Sequence, residues 1–385
     1  MTEEKKIKSL DQLLNWIERN GYAGWDPYDI KGKKWVIGLA DRGRHSFFFR
    51  YLRETVYEFF YRFPLSSRKA LKIKPAINPK AMGLFASAYL QLNQVSGKKK
   101  HLLSSHECLD WLIGNASGQG PGMGWGYPFD WQSDKLIPSH TPNGIVTTAA
   151  GDAFWRFYKH YGDKKYLDYC ERIAQFLSSL PVDRMDGDKL CFSYTPAQKN
   201  HVHNLNLFVA EFLIKTGMEL KNQRWTEMGN QAVNYTLNDQ LEDGSFDYNG
   251  PPEKPLRFID HYHTGFVLRM LYSIWEFTGR EDVYSATEKC LQHYVGNFFE
   301  DGTIPKLLPH RKYRIDIHSC AESIICLSEL SGTWPQYLPI AHRVLNWTID
   351  NLQDPSGYFH SRIPYIRWGQ AWMLKAFSTI PAHSS

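Results

Sequence analysis

The chain has no CxxC spacing among its six cysteines and no apolar run near the ~18 to 20 residues of a membrane span. It also has no GxGxxG or phosphate-loop glycine motif. Each absence removes a class of protein. Without paired cysteines there is no redox motif, and no cysteine pair with a nearby histidine imitates the zinc site of lanthionine cyclases. Cys108, Cys170, Cys191, Cys290, Cys320 and Cys326 fall mostly in helical apolar patterns and read as small buried hydrophobes. The start, Met1-Thr2-Glu3-Glu4-Lys5-Lys6, is polar and has no apolar signal core. A reducing cytoplasm is therefore the expected location. No DxDD or DDxxD run exists for terpene or diphosphate–magnesium chemistry. The net charge of +5 is small, and its lysines and arginines read as scattered, so nucleic acid is not an expected partner. A weak pull toward anionic substrates is left.

Aromatic residues are abundant, at 15% of 385 residues with 13 Trp, 22 Tyr and 22 Phe. Most serve a large core, and a minority is expected to line a cleft and stack on sugar rings. Hydrophobic residues at 43% suffice for that core.

An internal repeat organises the chain. A small or aromatic residue followed by Gly recurs at Gly97, Gly162, Gly217, Gly279 and Gly332, and a second Gly follows each at Gly124, Gly187, Gly244, Gly302 and Gly357. The unit is roughly 55 to 65 residues, a helical hairpin. Its first helix is apolar nearly all round, as in Val202–Lys215, Gly265–Phe277 and Ala321–Leu330, and is predicted to be buried. Its second is one-sided, as in Tyr166, Cys170, Ile173 and Leu177, and is predicted to lie outside. Five such hairpins, with Phe47–Phe63 before them and Ile366–Phe377 after, predict an all-α fold, an (α/α)6 toroid of inner and outer helices. The last inner helix needs an outer partner, which the N-terminal segment can supply. Residues 1–40 read as a lead-in helix (Leu10–Arg19) with an aromatic loop, and residues 41–385 as the toroid.

In such a ring the outer-to-inner loops meet on one face, at the N-termini of the inner helices, where anionic groups are favoured. The first loop holds Trp125, Tyr127, Asp130, Trp131 and Gln132, then Asn143; the second holds Tyr194, His203 and Asn204. The third holds Asp247, Tyr248, Arg257, Asp260 and His263; the later ones hold His318, Arg367 and Trp368. Trp with Asp, Gln, Asn and His suits carbohydrate. Arg311, Arg314, Arg362 and Arg367 add bidentate recognition of carboxylate or phosphate. Asp260, Asp316 and Asn204 equally occupy N-cap positions.

Three chemistries fit these residues. Glycoside hydrolysis would use Asp130, set between Phe129 and Trp131, with Asp247 or Asp260. Proton abstraction from a uronic acid, by an epimerase or lyase, would use His203, Tyr248 or His263. Zinc could sit on His201, His203, His261, His263 and His318, although hydrogen bonding is the commoner use of such histidines, and no metal or cofactor is expected. The catalytic candidates are thus Asp130, His203, Asp260 and His263. A non-catalytic glycan-binding or scaffold subunit is the alternative.

The chain also resembles the VpsJ-like polysaccharide biosynthesis proteins. The matching strings are Gly24-Trp25-Asp26-Pro27-Tyr28-Asp29, Asn78-Pro79-Lys80 with Gly83-Leu84-Phe85, Trp125-Gly126-Tyr127, Phe129-Asp130-Trp131-Gln132 and Thr141-Pro142-Asn143. Others are Phe192-Ser193-Tyr194-Thr195-Pro196, His203-Asn204, Asp243-Gly244-Ser245, Ile259-Asp260 and His263-Thr264-Gly265-Phe266. The resemblance implies a six-hairpin-glycosidase-like toroid that acts on an oligosaccharide or lipid-linked glycan beside the machinery of capsule or exopolysaccharide synthesis. It implies no single reaction.

Overall fold

A computed structural model describes residues 3–132, 135–254, 260–360 and 362–381. The chain opens with α1 (Glu3–Asn20), α2 (Lys34–His45), α3 (Phe47–Arg62) and the short α4 (Pro64–Ala70). Inner and outer helices then alternate. The pairs are α5 (Pro79–Ser96) with α6 (Lys99–Gly114), α7 (Gly144–Tyr161) with α8 (Lys164–Ser178), and α9 (His203–Leu220) with α10 (Gln223–Asn238). They continue with α11 (His261–Thr278) and α12 (Glu281–Asn297), then α13 (Ile317–Glu329) and α14 (Leu338–Leu352). The last inner helix is α15 (Ala371–Thr379), entered through a π-helical turn at Ile366–Gln370.

Each inner helix packs on the next, and α15 packs back on α5, so the ring is closed. The protein is an (α/α)6 toroid. The outer partner of α15 is α1, whose Leu13, Trp16 and Ile17 join the main core. Lys5 Nζ donates to Asn346 Oδ1 at 2.6 Å, and Lys6 Nζ to the Ile380 carbonyl at 3.3 Å. The expected division at residue 40 does not follow the packing. The lead-in helix belongs to the ring, while α2 and α3 stand outside it over a small core of their own, Ile30, Val36 and Phe60.

Sequence explains the alternation. Thirteen residues of α5 and fourteen of α9 are buried, with no wet face. In α8 the buried set is Tyr166, Cys170, Ile173, Ala174, Phe176 and Leu177, one stripe at helical spacing. Four of the six inner helices, α5, α7, α11 and α13, start at side-chain caps. Asn78, Asn143, Asp260 and Asp316 each accept a backbone N–H of the first turn, so these four positions are fixed by helix capping. Of the repeat's turn glycines, Gly97, Gly162 and Gly279 are left-handed caps as expected. Gly217 instead lies inside α9, where Lys221 takes the left-handed position, and Gly332 ends a 3-10 turn.

Two-stranded ribbons punctuate the outer-to-inner connections: Trp131–Gln132 with Leu136–Ile137, Val182–Met185 with Lys189–Phe192, and Phe299–Glu300 with Ile304–Pro305. The far half of the ring's hole is lined by charge. Arg269 Nε donates to Glu322 Oε1 at 2.6 Å and its Nη1 to Glu329 Oε2 at 3.0 Å, and Lys215 meets Glu211 at 2.9 Å. All six cysteines are buried free thiols. Among the described residues no helix is long and apolar enough to cross a membrane.

The closest inner-helix approach tested by a glycine is at Gly83 of α5. A Cβ there would lie 2.4 Å from the Ala149 carbonyl oxygen of α7. Backbone cannot yield cheaply, so Gly83→Ala is expected to cost about 1–3 kcal/mol in urea unfolding. Gly114→Ala on α6 faces open space and should cost nothing; equal midpoints for the two variants would refute this packing.

Candidate functional site

The N-terminal turns of the inner helices surround a cleft of about 420 Å³. Every inner helix or its entry contributes: Lys80 from α5, Ile145 from α7, Asn204 from α9, His263 and Phe266 from α11, His318 from α13, and Arg367 and Trp368 from the π turn before α15. Loops add Tyr127, Trp131, Gln132, Tyr194, Tyr248 and Glu253, and the segment before and within α2–α3 adds Tyr28, Lys31, Ala40 and Tyr57.

Aromatic rings form the walls. Tyr127 stacks on Phe129 at 5.4 Å between centroids, Trp131 meets Tyr194 edge-on at 5.5 Å, and Trp368 meets Tyr28 at 5.5 Å and Tyr262 at 5.4 Å. Such a cage offers several faces to the apolar side of a pyranose. Burial raises the pKa of Tyr28, Tyr127, Tyr194, Tyr248 and Tyr262, so these phenols stay protonated at neutral pH.

The polar groups divide into committed and uncommitted sets. Arg367 is committed: its Nη2 donates to Asp26 Oδ1 at 2.8 Å and its Nε pairs with the other oxygen. Asp260 is committed to α11, accepting the His263 backbone N–H at 2.8 Å and the His263 Nδ1 proton at 2.6 Å. That second bond orients the imidazole, leaves Nε2 as the nitrogen outside the pair, and puts a quarter-exposed side chain in the cleft. Asp316 accepts the Trp368 indole N–H at 2.8 Å and caps α13. Burial raises it to about 6.

The uncommitted groups are more telling. Gln132 Oε1, Asn204 Oδ1 and both ring nitrogens of His318 are buried without a partner, and all three residues line the cleft. His318 packs against Trp368, Tyr262 and Trp372, and burial holds it well below the ordinary histidine range, neutral. The Lys80 ammonium lies 5.3 Å from the Phe266 ring centre and 5.2 Å from that of Trp372, and no described carboxylate pairs with it. Orphaned buried polar groups converging on one cavity are what a polar ligand would satisfy.

The structure brings together His263 and nine of the twelve expected substrate-binding residues: Tyr127, Trp131, Gln132, Tyr194, Asn204, Tyr248, His318, Arg367 and Trp368. The remaining expectations need correction. Asp130 opens onto a neighbouring cavity with Trp25 and Asp26, and its Oδ1 accepts the Ser139 N–H at 2.8 Å, bracing the ribbon. His203 is buried behind the cleft, stacked on Tyr235 and 3.6 Å from Asp239, with burial lowering it to about 4. Trp125 is core, its indole donating to the Leu112 carbonyl at 3.0 Å. Asn143 is wholly buried as the α7 cap, and Asp247 is half-buried outside the lining. Arg257 lies outside the described residues.

The histidine pairs are spent separately. His201 bridges Glu253 and Asp183 at 3.1 Å each, and His261 holds the Lys306 carbonyl and the Ser323 hydroxyl at 2.8 Å. No group of three His, Cys, Asp or Glu able to hold a metal occurs among the described residues.

Sequence reasoning passed over Lys80, Tyr28, Asp26 and Glu253. A signal existed for Lys80, a lysine two residues into a helix that is otherwise apolar. Tyr28 and Asp26 sat in a string assigned to the lead-in loop, and only ring closure carries that loop to Arg367.

No family model matches the chain, and no curated protein does. Solved structures do share the fold. A GH76 alpha-mannanase from Bacteroides thetaiotaomicron superposes with a TM-score of 0.61 at 11% identity, covering 78% of this chain and 85% of its own. Cellobiose 2-epimerase from Bacillus thermoamylovorans B4167 gives 0.59 at 11% identity, with 78% and 87% covered. A glycosyl hydrolase family 88 protein from Bacteroides vulgatus gives 0.56 at 12%, with 79% and 93% covered. The shared feature is the toroid. Reaction and substrate do not transfer at such identities.

Burial, aided by the Arg367 charge, lowers the Lys80 amine to about 7. Between there and the ordinary 10.5 the unfolded chain keeps a proton that the folded chain has shed, so stability rises with pH across this window. Lys80→Met should therefore be more stable than the parent at about pH 6, with the gain shrinking toward about pH 10. Thermal melts across that range test it; a pH-independent difference would place the amine in solvent.

Proposed function

We propose that this protein is a glycan-active enzyme that moves a carbon-bound proton of a sugar, as an epimerase or lyase does, with His263 as the base. The observation that carries the reading is the Asp260–His263 pair, whose imidazole is oriented by a carboxylate and opens into the aromatic cleft.

Hydrolysis is less well supported by the same geometry. It needs two carboxyl groups on either side of the scissile bond. Among the described residues Glu253 is the only carboxylate lining the cleft, and it is held by His201. Asp130, the leading sequence candidate for the acid, faces another cavity. Tyrosine is a poor alternative base because burial keeps every cleft phenol protonated.

Each remaining group has a role in this reading. The Lys80 amine, near half-protonation at pH 7, is placed to return a proton or to neutralise an enolate oxygen, and the neutral His318 to donate a hydrogen bond to it. Lys80 and Lys31 give the cleft a cationic bias that favours an acidic sugar. Gln132 and Asn204 present oxygens to hydroxyl donors. The toroid's likeness to a solved epimerase and to glycoside hydrolases is compatible with glycan chemistry in the hole. Resemblance to VpsJ-like sequences supports a cytoplasmic role in assembling a surface polysaccharide.

The test uses acidic oligosaccharides in D2O. Wild type should either introduce solvent deuterium at a sugar carbon, as an epimerase does, or form an unsaturated sugar end, as a lyase does; His263→Ala should lose about 10²–10⁴ of that rate, and Asp130→Asn should retain it. Asp260→Asn should lower the rate while leaving binding intact. New reducing ends with neither deuterium nor unsaturation would establish hydrolysis instead, and tight binding with no product would establish a non-catalytic glycan-binding protein.

A further inference from the structure

We infer that the α2–α3 hairpin is a docking surface for an anionic lipid bilayer. The hairpin breaks the rule that governs the rest of the molecule. Among the described residues, eight of the seventeen exposed large hydrophobic side chains fall between residues 35 and 65. Of the sixteen residues of α3 only Phe60 is buried. At 100° per residue, Phe48, Tyr51, Leu52 and Phe59 share an arc of about 100° on α3, so they form one face rather than a scatter. Phe48 is 67% exposed, Tyr51 69% and Phe59 53%.

Charge separates this face from an ordinary sticky patch. Residues 33–74 hold eleven Lys and Arg against three Asp and Glu, a net +8. The whole chain carries +5, so the other 343 residues sum to −3. The net positive charge read from sequence as scattered falls in this segment, although Arg68 is buried against Asp29. A helix with aromatic rings and the exposed Arg62 on one face, joined to the exposed Arg42 and Arg44 of α2, is suited to lie in the headgroup region of an anionic membrane. A second copy is a poorer occupant, because a two-fold contact would set two cationic surfaces against each other. Since no described helix can cross a bilayer, the attachment is peripheral.

The position gives the surface a purpose. The hairpin roofs the cleft: Ala40 and Tyr57 line it, Gln132 donates to Asp41 at 3.2 Å, and Arg314 reaches Glu58 at 2.6 Å. A bilayer beneath the hairpin would therefore lie beside the cleft mouth, where the sugar of a lipid-linked saccharide is presented. The membrane contact does not depend on which reaction the cleft performs.

Co-sedimentation with vesicles tests it. The full chain should bind phosphatidylcholine vesicles containing phosphatidylglycerol, bind pure phosphatidylcholine weakly, and dissociate as salt is raised. Phe48→Ser with Phe59→Ser should weaken binding about tenfold or more, and Arg42→Gln with Arg62→Gln should do so for anionic vesicles. Leu103→Ser, an exposed apolar residue on α6, should leave binding unchanged. Circular dichroism checks folding, and the arginine pair carries the test if the phenylalanine pair misfolds. Absence of binding at low salt overturns the inference. So does binding to duplex DNA in place of vesicles, or a vesicle-indifferent dimer that Phe48→Ser disperses.

Discussion

The ion pair between Asp26 and Arg367 joins residues 341 positions apart, and the architecture of the cleft depends on it. A closed ring must bring the chain's two ends together, and here they meet at the cleft wall. The Asp26 loop also receives the Arg68 guanidinium on its backbone and Asn78 on its side chain, while Arg68 pairs with Asp29 at 2.9 Å. Gly24 completes the fit, since a Cβ there would overlap the Ile366 side chain. Both charges of the pair are buried, so neither can be removed without stranding the other, at a cost of about 3–5 kcal/mol. The reward is geometric. Arg367 is fixed between the rings of Tyr127 and Trp368, and Tyr28 is brought against Trp368.

What was legible in sequence follows from range. Helix burial is a local property, so the apolar inner helices and striped outer ones showed in their own spacing. The rim followed from topology alone, and it correctly gathered Tyr127, Tyr194, His263, His318 and Trp368, which lie scattered through the chain. Direction within the rim was not legible. Asp130 and Trp131 are neighbours, yet Asp130 precedes the ribbon and is held by the Ser139 N–H on the side of another cavity, and only Trp131 reaches the cleft. His203 and Asn204 diverge because successive residues of a helix face different ways, one facing α10 and the other the hole. The role of α1 was half legible: an outer partner for α15 was required, but its identity needed the contact.

The hole itself presents an electrostatic problem that the structure solves in two ways. Six helices in a ring leave an axis that side chains must fill. At the C-terminal ends of the inner helices the lining is ionic and largely paired, Arg269 with Glu322 and Glu329, and Lys215 with Glu211, with the buried Lys375 ammonium left without a hydrogen-bond partner. At the N-terminal ends it is aromatic and left short of partners, with His318, Asn204 and Gln132 unsatisfied. Lys80 stands between the two halves, bordering cavities on both sides. Paired ions rigidify, whereas orphaned polar groups cost stability unless a ligand supplies their bonds. The aromatic walls and the orphaned groups His318, Asn204 and Gln132 together are what favour the N-terminal half for the proposed chemistry.

The same asymmetry constrains the chemistry. A cavity that keeps its phenols protonated and His318 neutral has removed most of the bases that its composition advertises. In the proposed reaction the base is His263, whose Nδ1 proton Asp260 accepts. Because Asp260 is also the cap of α11, that proposed base is referenced to the helix backbone rather than to a loop, and its position is set by the fold. Such anchoring suits a reaction in which a proton must leave and return along defined directions, since an error of one ångström in that geometry is costly. Capping and catalysis, which compete as explanations of an acidic residue at a helix start, are under this proposal a single function of one carboxylate.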